Sequence, residues 1–199
     1  IFVSGQKDMA IATDYVVRKV AEEFSQTRRD AVVEGVGHAV VGMFFGRNLI
    51  MTVAEQKREG TVAGRDQKRF EMPDLEVWRE LARELAFDLA TAPAAHLPRI
   101  SAAKFANEER IKAWSFADYL LRRDPALLLA LDEAGKEAKN DLEVTAAFLG
   151  ATKLHLPAVE ADWRVFYTGD SAALRALRQK ATPLDAISKD ASAWIDEWN

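Results

Sequence analysis

The stretch that decides the reading is Arg28 to Gly46, R-R-D-A-V-V-E-G-V-G-H-A-V-V-G-M-F-F-G. It is the longest apolar run in the chain, yet it carries Glu34 and His38, four residues apart and so on one face of a helix. The apolar part from Ala31 to Phe45 is interrupted by those two side chains and by Gly35, Gly37 and Gly42, and it is shorter than the roughly 20 residues that cross a bilayer. The expectation is a core helix over about Asp30 to Gly46, stopped by Gly46, with no transmembrane segment. Its glycines allow a neighbouring helix to come close.

Working outward, Met9, Ile11, Val16, Val17, Val20 and Phe24 recur at helical intervals and predict an amphipathic helix from Asp8 to Ser25, capped by Asp8. Ile1 to Val3 reads as a short strand. Leu49 to Glu55 is open between a strand and a helix start, and the basic, aperiodic Lys57 to Arg69 reads as a solvated loop within a connection over 47–72. Helices follow at Pro73–Ala92 (Leu75, Trp78, Leu81, Leu85 and Leu89 on one face), Phe105–Arg123, Ala126–Lys139, Asp141–Gly150 and Ala158–Tyr167. Two short ones are expected at Ser171–Lys180 and Pro183–Trp198. The predicted fold is mainly α, with few or no strands: one helical domain over 1–167 and a helical extension over 168–199. Trp78, Trp114 and Trp163 are expected in the core.

Composition narrows the function classes. A net charge of -4 argues against a nucleic-acid surface, which needs clustered Lys and Arg. The absence of cysteine removes thiolate zinc sites, thiol catalysis and disulfides. The only histidines, His38, His96 and His155, include no i,i+4 pair for a zinc helix. No serine sits in a G-x-S-x-G frame, and Gly60 to Gly64 lacks the Lys and Ser/Thr of a phosphate loop. Among 31 acidic residues, carboxylate pairs are too many to single one out.

The arrangement of a helix, a short connection and then R-R-D-A-V-V-E-G-V-G-H-A resembles the gluzincin metallopeptidases, the peptidase MA-like group, after their H-E-x-x-H helix. There an E-G dipeptide supplies the third zinc ligand, and Glu34-Gly35 matches it. Lys112 to Pro125 (K-A-W-S-F-A-D-Y-L-L-R-R-D-P) and Gly150 to Tyr167 (G-A-T-K-L-H-L-P-A-V-E-A-D-W-R-V-F-Y) are similar to later segments of that family. The resemblance covers about residues 9 to 167 and implies a zincin-like helical half.

Where the H-E-x-x-H window should fall, residues 13–17 read T-D-Y-V-V. Thr13 and Val17 stand in the two histidine positions and Asp14 in that of the general base, and valine binds no metal. The resemblance therefore implies a degenerate site at Thr13, Asp14, Val17, Glu34 and His38, with no metal, no cofactor and no catalytic residue. The function expected is that of a non-catalytic structural or protein-binding subunit. Lys57, Arg58, Arg65, Lys68 and Arg69 of the basic segment, or Trp194 and Trp198 near the end, are the candidate contacts. A zinc peptidase with ligands in a segment before residue 1, and an unrelated helical interaction domain, are the alternatives. The compartment stays open, with a place outside the cytoplasm slightly favoured as the expectation for a chain that starts without Met and has no cysteine. On the competing structural reading, Glu34 pairs with Arg18, Arg28 or Arg29, and His38 is satisfied by a backbone carbonyl.

Overall fold

The computed structural model describes residues 15–17, 19–20, 23, 30–46, 48, 52–56, 67–71, 74–101 and 105–169. The architecture is mainly α. Six helices are described end to end: α1 (Asp30–Phe45), α2 (Leu75–Phe87), α3 (Asn107–Arg123), α4 (Pro125–Gly135), α5 (Asp141–Thr152) and α6 (Leu156–Thr168), with a 3-10 helix at Ala94–Arg99. The described residues between 15 and 23 are helical, as the Asp8–Ser25 periodicity predicts. The expected strand at Ile1–Val3, the cap at Asp8 and the helices at Ser171–Lys180 and Pro183–Trp198 lie outside the described residues.

The expected connection over 47–72 is not all loop. β1 (Thr52–Gln56) and β2 (Gln67–Glu71) pair antiparallel, with Thr52 opposite Glu71 and Val53 opposite Phe70. The charges of Q-K-R-F-E conceal the strand from a hydrophobicity reading, because a ladder made by backbone groups needs no apolar run.

Local chemistry fixes most helix ends. α1 stops at Gly46, which takes φ +64° and donates its N–H to Gly42 O at 3.0 Å, the left-handed stop that favours glycine. Asp74 caps α2, accepting from Glu76 N at 2.8 Å, and Asp124 caps α4, accepting from Ala126 N at 2.9 Å with Pro125 in the first turn. Asn140 and Glu143 bracket the start of α5: Asn140 Oδ1 accepts from Glu143 N, and Glu143 Oε2 accepts from Lys139 N.

Two expected helices run too long. α2 ends at Phe87 rather than at Ala92, because Asp88 leaves the helix and its carboxylate accepts from Ala90 N at 2.8 Å. Leu89 is consequently 86% exposed instead of joining the apolar face, which closes with Ala82 and Ala86. α4 ends at Gly135, short of Lys139, where a glycine and then the charged K-E-A-K stretch, with Ala138 alone packed on the core, give little to hold a further turn.

α3 is the central element. Ile111 through Ala117 and Tyr119 through Leu121 are all buried, so this helix is enclosed on nearly every side, packed against α1, α2, α4 and α6. Trp78, Trp114 and Trp163 sit in the core as expected. A continuous chain of ring contacts runs from His38 to Trp78 (4.8 Å), Trp114 (5.6 Å), Tyr167 (6.5 Å) and Trp163 (6.0 Å), joining α1 to α6 through α2 and α3.

The contact of α1 with α3 is close because of Gly35. A Cβ built there would lie 2.5 Å from Ala113 O. The expectation that these glycines permit close approach holds for Gly35, whose described neighbour is α3.

Candidate functional site: a buried Glu–His–Arg cluster

Glu34 and His38 both lie inside, at 8% and 0% exposure, so the apolar helix does bury its two polar side chains. Neither described partner is one the sequence suggested. His38 Nδ1 lies 2.9 Å from Asn48 Oδ1, a side-chain amide rather than a backbone carbonyl. Nδ1 donates to that oxygen, and Nε2 faces Glu34 Oε1 at 3.7 Å.

Glu34 Oε1 is also 3.1 Å from Arg110 Nε on α3. Arg18, Arg28 and Arg29 lie outside the described residues, and Arg110 is the cation the structure places there. The contact is an ion pair by distance, and Oε1 gains no aligned hydrogen bond from it. His38 Nε2 likewise has none among the described residues. Arg110 stacks over Phe105 at 5.2 Å, and Trp78 closes the other side of the imidazole. The cluster is thus walled by apolar rings and holds one carboxylate, one imidazole and one guanidinium.

Of the other positions singled out in sequence, Val17 is helical and half-buried, while Thr13 and Asp14 lie outside the described residues. Lys68 and Arg69 are on β2, opposite Glu55 and Ala54. Lys57, Arg58, Arg65, Trp194 and Trp198 lie outside the described residues. The structure therefore brings Glu34 and His38 together and adds Arg110 and Asn48.

The described donors do not by themselves make a catalytic zinc site. Such a site takes three protein ligands and keeps an open position for water. Among the described residues no group of three His, Asp or Glu side chains could hold an ion. A valine at position 17 supplies no donor, and the Arg110 guanidinium lies against the one carboxylate that would take the metal.

A second buried charge escaped the sequence reading altogether. Lys112, on α3 two residues beyond Arg110, is 2% exposed. Its ammonium donates to Glu160 Oε1 at 2.6 Å and to Ala92 O, while Glu160 Oε2 accepts from Ala94 N at 2.9 Å. Burial lowers the Lys112 pKa from its ordinary value, and the Glu160 carboxylate works against that shift. The ammonium and both carboxylate oxygens are engaged in tying α3, the 92–94 turn and α6 together, which is a structural use.

Beside it a shallow depression, with a cavity volume of about 20 Å³, is lined by Thr91, Pro93, His96, Glu108, Glu109 and Lys112 among others. That is far below the ~300–1,000 Å³ typical of ligand pockets. Sequence carries no local signal for either cation: Arg110 and Lys112 stand in the charged N-E-E-R-I-K start of α3, where a solvated face is the ordinary reading.

Compared with known protein families, curated proteins and solved structures, the chain matches none.

Proposed function

We propose that this protein is a non-catalytic relative of the gluzincin metallopeptidases that serves as a structural or protein-binding subunit. The observation that carries the reading is the Arg110 guanidinium 3.1 Å from Glu34. A carboxylate in an apolar surrounding needs a positive charge, and here an arginine on α3 supplies it from within the fold. The T-D-Y-V-V sequence over residues 13–17 supports the same reading, because it lacks both histidines and keeps only a shorter acid. The basic segment Lys57–Arg69 and the pair Trp194/Trp198 remain the contact candidates, the first for an acidic partner and the second for an apolar groove.

The test is elemental mass spectrometry on protein purified without chelator, paired with a peptide-hydrolysis assay in added zinc. The expected result is clearly less than one zinc per chain and no hydrolysis. A full equivalent of bound zinc, lost on replacing Glu34 with Gln, would overturn the proposal.

One observation favours a second reading. Glu34 Oε1 and His38 Nε2, 3.7 Å apart and both without a hydrogen bond among the described residues, are two converging donors of the kind a divalent cation uses. On that reading a third ligand comes from a segment before residue 1, and the same zinc measurement decides between the two.

A further inference from the structure

Beyond its first turn α5 carries no charge, and only half of it has a core to face. From Val144 to Thr152 it reads V-T-A-A-F-L-G-A-T without a charge, yet Val144 and Phe148 are its only buried side chains. A helix of that composition normally has neighbours on every side, as α3 does. The outer face instead carries Leu142, 82% exposed, with Ala146, Ala147 and Gly150, and continues into exposed Leu154. At Gly150 a Cβ would meet nothing within 4 Å, so the lane is open to an approaching backbone.

The charges at the two ends of this face say what fits it. Asp141 at the N-terminal end is held by Arg99, which leaves Glu143 there and Lys153 at the C-terminal end, with nothing charged between. Such a face is complementary to itself when turned end for end: in an antiparallel pair the acidic end of one helix lies beside the basic end of the other. Two-fold symmetry then makes the contact twice.

We propose that the outer face of α5 is a self-association surface, on which a second copy of this chain docks its own α5 antiparallel. Leu142 and the stem of the other copy's Lys153 cover one flank of the small central lane, and Glu143 lies within reach of that Lys153 ammonium. One helix face buries less than the ~800 Å² per partner of a stable interface, so the dimer is weak and forms with rising concentration. The inference goes beyond the function proposed above and does not rest on it.

Sedimentation velocity on the full chain, from micromolar to millimolar concentration, reads it directly. Wild type is expected to shift from monomer towards dimer, and L142E to stay monomeric. E143K alone and K153E alone each place like charges in both symmetric contacts and should weaken association about tenfold. An equimolar mixture of these two variants should associate again, since each then meets its opposite. A folding defect would not be repaired by mixing. Wild type that stays monomeric throughout, or single variants that associate as wild type does, or a mixture no better than its components, would overturn the proposal. So would dimerisation that L142E leaves unchanged, which would place the contact on another surface.

Discussion

At the scale of single residues the molecule is governed by the few charges it buries. Lys112 and Glu160 each lose water and regain it as protein contacts, so removing one partner strands the other. Lys112→Met is expected to lower stability by about 3 kcal/mol, and pairing it with Glu160→Gln should recover part of that loss. Denaturant melts of the single and double variants check it. Arg110→Ala leaves Glu34 without its described cation and should cost a similar ~3 kcal/mol, whereas Arg110→Ala with Glu34→Gln should cost less. Neither partner was named by the sequence reading. Glu34 and His38 stood out because they interrupt an apolar run, whereas their partners lie about 75 and 10 residues away in the chain, and no local pattern encodes that proximity.

Tyr167 makes the same point through pH. Burial, and then the Asp118 carboxylate, push its hydroxyl well above the ordinary tyrosine value. The folded state therefore keeps that proton where the unfolded chain begins to lose it, near pH 10. Stability from this group is fully present below pH 10 and is lost as pH rises from there towards the folded value. Lys112 has the opposite sign: its lowered folded pKa makes the folded state shed a proton first, so its contribution rises with pH as the solution passes that value. Comparing wild type with Tyr167→Phe isolates the first effect. The variant should lose less stability between neutral pH and pH 11 than wild type does, and parallel curves would refute the assignment.

At the scale of elements, end signals were read well where a side chain or a glycine enforces them and poorly where tertiary contacts do. Gly46, Asp124-Pro125 and Asp141 marked real boundaries. The end of α2 was misplaced because its carbonyls are satisfied from far away: Arg164 on α6 donates to Ala86 O at 3.0 Å and Asp88 O at 2.8 Å. The glycines of α1 separate two cases that look alike in sequence. A Cβ at Gly35 would meet the backbone oxygen of Ala113 at 2.5 Å, whereas at Gly42 it would meet the Leu75 Cδ1 methyl at 2.7 Å. A backbone cannot swing aside as a leucine can, so Gly35→Ala should push α1 off α3 and cost about 2–3 kcal/mol. Gly42→Ala should cost less than half as much, because the alanine's helix propensity offsets part of the clash. Thermal melts of the two variants side by side measure the difference.

At the scale of the whole molecule, the helical class was legible because burial of one stripe per helix writes a period into the chain, and α3, buried almost all round, is where those stripes meet. What the period does not write is which helix pairs with which. It places Glu34 on a face without saying that α3 covers it. The same layout predicts how the fold opens. α3 exposes its amides only when α1, α2, α4 and α6 all leave it, so its hydrogen exchange should track global unfolding. α5 is held by Val144, Phe148 and the Arg99–Asp141 ion pair, and it should exchange through a smaller, cheaper opening. If its outer face pairs with a second copy, that opening also requires dissociation, and protection of α5 must then rise with protein concentration while that of α3 does not. Exchange measured at two concentrations therefore separates the stability α5 owes to its own fold from the stability it owes to a partner, and equal protection of α5 at both would count against the pairing.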